Sequence, residues 1–243
     1  MAADGVIARL RSTAPHISVG ILTANLGALD QELALLERVG AGIVHTDAMD
    51  GVFCPIFTVG PPFVAAQKTQ LIKDVHLMID NPLDKVAAFV AAGADMITFQ
   101  VESAPNPHRV LQVLGDAANA NDAATGIVRG VAVSPGTPLD VLEPLLDDLE
   151  YILVLSINPG WGGQRFHSGT TRRLERVRSM IAATGRPILV GVDGGITKAN
   201  VPQVLAAGPD IIVTGSAIFD GTSAVEENAR RMLAALRPPA EVR

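Results

Sequence analysis

Eight short apolar runs, each followed by a stretch of helical periodicity, limit the folds open to this chain more than any other feature of its sequence. That alternation is the mark of repeated βα units laid around a parallel sheet. The runs lie near residues 17–22, 43–47, 74–78, 96–100, 129–133, 151–156, 188–192 and 211–214. Most are rich in Val, Ile and Leu, as strands covered on both faces are. Between them, residues 30–39, 82–91, 170–183 and 224–236 space their apolar side chains three or four apart, the period of an outer helix. Gly40, Gly93 and Gly208 each follow a helical stretch and precede a strand, where a left-handed cap is expected. Such units can close into a barrel or open into a doubly wound sheet. The glycine fingerprint of dinucleotide-binding sheets is missing after the first strand, which favours closure. The 243 residues also match the roughly 250 typical of such barrels. The expectation is an α/β chain forming a single (β/α)8 TIM barrel. One domain spans 1–243, with the barrel over about 17–236 and a frayed tail at 237–243, where two prolines and charges cluster.

Composition narrows the partners. Lys and Arg are scattered along a chain of net charge -6, so no basic patch offers itself to nucleic acid. The single cysteine, Cys54, can form neither an intramolecular disulfide nor a thiolate metal site, which fits a reducing cytoplasm. The first residues lack the continuous apolar core of a signal peptide, and no apolar run approaches the roughly 20 residues needed to span a bilayer. A soluble protein of the cytoplasm, with no membrane partner, is expected.

In a β/α barrel the site is built at the carboxyl ends of the strands and in the loops that follow. The second strand ends His45-Thr46-Asp47-Ala48-Met49, where alternation directs His45 and Asp47 to one face. The third ends Asp74-Val75-His76-Leu77-Met78, and the seventh runs into Asp193. Each polar residue alone would be an ordinary strand-end side chain. Four converging on one mouth point instead to a divalent cation, because burying unpaired carboxylates and imidazoles costs several kcal/mol that a cation offsets. Two imidazoles with two carboxylates suit zinc, manganese or iron(II) alike. Glycines mark the other half of the mouth: Gly160, Gly162 and Gly163 around Trp161 after strand six, Gly194 and Gly195 after strand seven, and Gly215 beside Ser216 after strand eight. Their amides can approach an anion closely, and loops seven and eight commonly hold phosphate in this architecture. No Walker sequence is present, so a phosphate would serve as a handle on a small-molecule substrate rather than as the group transferred.

The runs HTDAMDG, DVHLMIDNP, SINPGWGGQ, VDGGIT and TGSAIF resemble those of ribulose-phosphate 3-epimerases, over about residues 17–219. The resemblance implies an isomerase that interconverts D-ribulose 5-phosphate and D-xylulose 5-phosphate in pentose phosphate metabolism, as a homo-oligomer with one divalent metal. It implies His45, Asp47, His76 and Asp193 as the metal ligands, with Asp47 and Asp193 as the two acid/base carboxylates that flank a metal-stabilised enediolate. By the same transfer, Met49 and Met78 lie near the intermediate. Backbone groups of Gly162, Gly163, Gly194, Gly195, Gly215 and Ser216 meet the phosphate, and the loop carrying Gly160 and Trp161 closes over the substrate. Trp161 could equally be a packing anchor.

Several positions depart from the family. Gly20 stands where a substrate-contacting serine is usual. Val52, Cys54 and Ile56 replace His, Val and Asn in the loop after strand two, and Gln100 takes the place of a histidine. Ser134 and Leu155 stand where Asn or Lys, and Met, are frequent. A site that has lost hydrogen-bonding groups no longer pairs with some substrate hydroxyl. A hexulose 6-phosphate or tetrulose phosphate is the alternative substrate, with Gly20 leaving room for a bulkier substituent and Val52, Cys54 and Ile56 forming a more apolar wall. A noncatalytic sugar-phosphate binding barrel is the alternative from another class.

Overall fold

The computed structural model describes residues 4–236; the expected frayed tail lies outside the described residues. Eight parallel strands close into a barrel in chain order: β1 (His16–Gly20), β2 (Ile43–Met49), β3 (Ile72–Met78), β4 (Met96–Gln100), β5 (Val128–Val133), β6 (Tyr151–Leu155), β7 (Leu189–Asp193) and β8 (Ile211–Thr214). Pairing of Ile17 with Ile212 and Val19 with Thr214 closes the ring. The (β/α)8 expectation is thus met, and the strand expectations at 96–100 and 211–214 match to the residue.

Alternation along each strand builds two cores. Outward residues such as Val44, Val75, Ile97, Val131, Val154, Val190 and Ile212 pack on the outer helices. Those helices include α2 (Leu29–Arg38), α3 (Pro61–Ala66), α4 (Val86–Ala91), α5 (Pro107–Asp116), α6 (Thr170–Thr184), α7 (Val201–Ala206) and α8 (Val225–Ala235), with α1 (Asp4–Ser12) preceding the barrel. Inward residues Ile43, Ile72, Met96, Val128, Leu189 and Ile211 form a second, smaller core at the amino ends of the strands. Ile7 and Leu10 of α1 belong to that inner core, so this helix closes the underside of the barrel. Above this floor Tyr151 lies fully buried. It needs glycines beside it: a Cβ at Gly191 would sit 2.6 Å from its Cζ, and one at Gly130 would sit 3.1 Å from its Cδ1.

Gly40, Gly93 and Gly208 carry positive φ angles of 86°, 89° and 71°, as expected of left-handed caps. Other details differ from expectation. β1 stops at Gly20, and Ile21–Thr23 turn in a 3-10 helix that buries Ile21. The helix expected over 82–91 begins as a separate 3-10 turn, Pro82–Asp84, before α4. Between β5 and β6 the chain forms a 3-10 segment, Leu139–Leu145, with Pro144 inside it; the missing N–H there withholds an α-helical hydrogen bond. No described helix is long and apolar enough to cross a membrane.

Candidate metal centre and active site

The register of β2 on β3 sets Asp47 opposite His76 and His45 opposite Asp74, so three of the four expected ligands meet through a single strand pair. Asp193 arrives at the end of β7. One ligand atom from each of His45, Asp47, His76 and Asp193 lies within 4.8 Å of every other. Both imidazoles are fully buried, while Asp47 and Asp193 are half-buried at the mouth. Asp47 Oδ1 lies 3.1 Å from His45 Nε2 and 3.1 Å from His76 Nδ1. The far side of His45 is held as well, with Nδ1 2.7 Å from Asp74 Oδ2. His76 Nε2 is buried with no hydrogen-bond partner.

The carboxylates compete for a shared positive field. Burial opposes ionisation of Asp47, but the charge of His45 and hydrogen bonds with both histidines outweigh it and hold the carboxyl well below its usual range. Asp193 lacks those hydrogen bonds; burial first, and then the charge of Asp47, push it up to about 6. Burial also opposes charge on His45, yet Asp74 and Asp47 together lift the imidazole well above its ordinary value. None of these three carboxylates is paired with Lys or Arg among the described residues. Two imidazole nitrogens and two carboxylate oxygens, crowded within one ion's reach with an orphan nitrogen on His76, fit a divalent cation of the zinc, manganese or iron(II) kind.

Beside this centre opens a cavity of about 650 Å³. Its floor includes Asp47 and Asp193, and Gly162, Gly163, Gly194, Gly195, Gly215 and Ser216 line its wall. The loop from Asn158 to Phe166 is held in shape by Gln164. Its side-chain oxygen accepts from the Asn158 amide at 3.1 Å, and its nitrogen donates to the carbonyls of Asn158 at 2.7 Å and Trp161 at 3.0 Å. Gly195, at φ 62°, touches that loop so closely that a Cβ would sit 2.6 Å from the Phe166 nitrogen. Asn200 fixes the same turn, donating to the Gly195 carbonyl at 2.9 Å. Arg165, exposed, is the one Lys or Arg lining the cavity among the described residues.

Not every expected residue joins this cavity. Gly160 packs on the neighbouring loop, where a Cβ would sit 2.5 Å from Cys54 Cβ, and Trp161 is 47% exposed, too open to be a core anchor. Met49 and Met78 face each other across β2 and β3, one step beyond Asp47 and His76, outside the cavity lining. The departures resolve in particular ways. Gly20 lines the cavity, and a Cβ there would meet Gly215 Cα at 3.3 Å, so the glycine lets β1 and the backbone after β8 approach closely. The apolar wall expected from Val52, Cys54 and Ile56 is absent from the cavity: Val52 and Ile56 face solvent at 72% and 38% exposure, and Cys54 is buried beneath Gly160. Gln100 is a buried strand residue whose amide reaches the Ala132 carbonyl and the Glu102 carboxylate. Asp74, Gln164, Asn200 and Arg165 carry no expectation from the sequence. Asp74 was within reach, because it shares the inward parity of His76 and Met78.

Known proteins resemble the chain over most of its length. The model of the ribulose-phosphate 3 epimerase family matches residues 16–219. A ribulose-phosphate 3-epimerase of Rhodobacter capsulatus is 38% identical over 229 residues, covering 93% of this chain and 95% of the relative. One from Bacillus subtilis is 37% identical over 206 residues, covering 84% and 91%. Among solved structures, KGPDC from Streptococcus mutans superposes with a TM-score of 0.67 over 92% of this chain and 98% of its own, at 15% identity, a likeness of fold alone.

Proposed function

This chain belongs to the ribulose-phosphate 3-epimerase family of isomerases, and from that premise we propose that it interconverts D-ribulose 5-phosphate and D-xylulose 5-phosphate by proton transfer between two carboxylates. One observation carries the reading: Asp47 and Asp193, borne by strands apart in the barrel wall, reach one small centre beside a glycine-lined cavity. Epimerisation at the carbon next to a ketone removes a proton from one face of the substrate and returns one to the other, so a proton-transfer group must stand on each side.

One of the two carboxylates takes the proton from the substrate as base, and the other returns one to the opposite face as acid. The reverse reaction exchanges the roles through the same enediolate. A divalent cation held by His45, Asp47, His76 and Asp193 supplies positive charge beside the developing oxyanion. The amides of Gly162, Gly163, Gly194, Gly195, Gly215 and Ser216 take the phosphate, away from the reacting carbon. Met49 and Met78 give a polarisable rim above the centre, and the loop bearing Gly160 and Trp161 shields it from water. The reading includes a homo-oligomer in the cytoplasm, which sedimentation and fractionation measure.

Purified protein loaded in turn with zinc, manganese or iron(II) is expected to form xylulose 5-phosphate from ribulose 5-phosphate in D2O, with deuterium entering at C3. Chelation is expected to stop the reaction and resupply of the metal to restore it. Preferential turnover of a hexulose 6-phosphate or a tetrulose phosphate in the same panel would replace the substrate. Proton exchange at the wild-type rate in an Asp193→Asn variant would remove the two-carboxylate mechanism.

A further inference from the structure

Asp74 sits one step deeper in the barrel than His76 and is fully buried. Its Oδ2 lies 2.7 Å from His45 Nδ1 and accepts a hydrogen bond from Ser18 Oγ at 3.1 Å, while Oδ1 has no partner. No Lys or Arg is paired with it among the described residues. A carboxyl group buried in the middle of a barrel with one oxygen unpartnered costs stability unless a neighbouring polar group uses it. The cross-strand pairing of His45 with Asp74 supplies that use.

We propose that Asp74 is a positioning residue that fixes the His45 ring so that Nδ1 carries the proton and Nε2 faces the cation, making His45 the preset ligand of the centre. The inference rests on the reading that these residues hold a cation, and not on which ketose is turned over. A carboxylate bound to one nitrogen of a histidine ligand sets the ring orientation before the ion arrives and holds the proton on that nitrogen, so that the other nitrogen is the one that gives up its proton to the ion. His45 Nε2 already lies 3.1 Å from Asp47 Oδ1, on the side where the ligand atoms gather. His76 has no such carboxylate behind it: Nδ1 faces Asp47 Oδ1, and Nε2 is buried without a partner. The two histidines are therefore unequal, one held from behind by Asp74 and the other held only through Asp47. Ser18 braces the arrangement from β1 by holding the oxygen that meets His45.

The test uses zinc as the probe and reads the imidazole directly. In zinc-loaded protein labelled with 15N-histidine, His45 is expected to show an exchange-protected proton on Nδ1 and a metal-ligated Nε2. Asp74→Asn is expected to weaken zinc binding about 10–100-fold in a chelator competition, the usual range for loss of such a partner. It should also redistribute the His45 tautomer, which a merely space-filling role would leave alone. Zinc at Nδ1 of His45 in the wild-type protein would overturn the proposal whether or not the variant folds. So would an Asp74→Asn variant that folds and binds zinc within twofold of wild type. Neither readout requires turnover, so absence of epimerisation in the wild type would remove the proposed reaction and leave Asp74's role standing.

Discussion

Asp193 is expected to cost the metal-free protein stability, and replacing it shows by how much. Burial, followed by the charge of Asp47, raises its carboxyl from 3.8 to about 6 in the folded chain. Between those two values the folded chain holds a proton that the unfolded chain has lost, so stability falls as pH rises through that window. Above 6 the full penalty applies. A shift of about two units at 1.36 kcal/mol each gives a cost on the order of 3 kcal/mol. Asn cannot ionise and escapes it. Metal-free Asp193→Asn is therefore expected to melt about 6–12 °C above the metal-free wild type at pH 8, taking 2–4 °C per kcal/mol for a chain of this size. At pH 4.5 only about 0.7 unit of the window has been crossed, and the advantage shrinks to roughly 1 kcal/mol. Saturating zinc should reverse the order, because an ion at a thousand times its dissociation constant stabilises by about 4 kcal/mol and the variant has lost a ligand. The assay is thermal melting by circular dichroism, after chelation and again with zinc, at both pH values. A chelated variant that melts at or below the wild type at pH 8 would show that Asp193 is not buried against Asp47 in the way described.

Arg165→Met keeps the apolar stem and removes the guanidinium that lines the cavity. KM for a phosphorylated ketose should rise about tenfold, the worth of one charge-assisted hydrogen bond, and an unchanged KM would remove Arg165 from phosphate binding. Gly191→Ala would drive a Cβ to 2.6 Å from the Tyr151 ring and should lower stability by about 1–3 kcal/mol or more in a denaturant melt; a neutral result would mean the ring lies elsewhere. Leu10→Ala, at a site 1% exposed under the barrel, should cost about 3 kcal/mol in the same melt, and a loss below 1 kcal/mol would show that α1 does not close the underside.

Where strand runs are β-branched, apolar and ended by polar or glycine residues, the sequence was enough to bound them. Met96–Gln100 and Ile211–Thr214 are cases. The apolar run predicts β1 as far as Leu22 because Ile21 and Leu22 are as apolar as a strand requires, yet the chain turns there and buries Ile21 in a 3-10 helix. α1 is illegible for a different reason. Nine residues with Ile7 and Leu10 as their main burial form a weak local pattern, and the partner for that face is the underside of the barrel, made by strands far along the chain. For the site, period-two alternation sufficed to put His45 with Asp47, but the meeting of Asp47 with His76 depends on the β2–β3 register, which neither strand states alone. Alternation has no meaning in loops. That is why the residues after β2 read as an apolar wall of the cavity although Val52 and Ile56 turn to solvent.

The same alternation explains why so polar a centre can exist in an apolar barrel. β2 and β3 each give the interior one apolar residue at the amino end, Ile43 and Ile72, before their polar positions begin. With α1 beneath them, these residues and their counterparts on other strands form a floor that excludes water. Above it, Asp74, His45, His76, Asp47 and Asp193 are stacked toward the open end with no Lys or Arg among their ion-pair partners in the described residues. Carboxylates so placed are stable only to the extent that imidazolium charge or a divalent ion compensates them. If the centre is kept for the cation, removing Asp193, the carboxylate that burial and Asp47 penalise, relieves the metal-free protein and harms the loaded one. If it were kept for packing, substitution would harm both equally, and the Asp193→Asn melts with and without zinc separate the two cases.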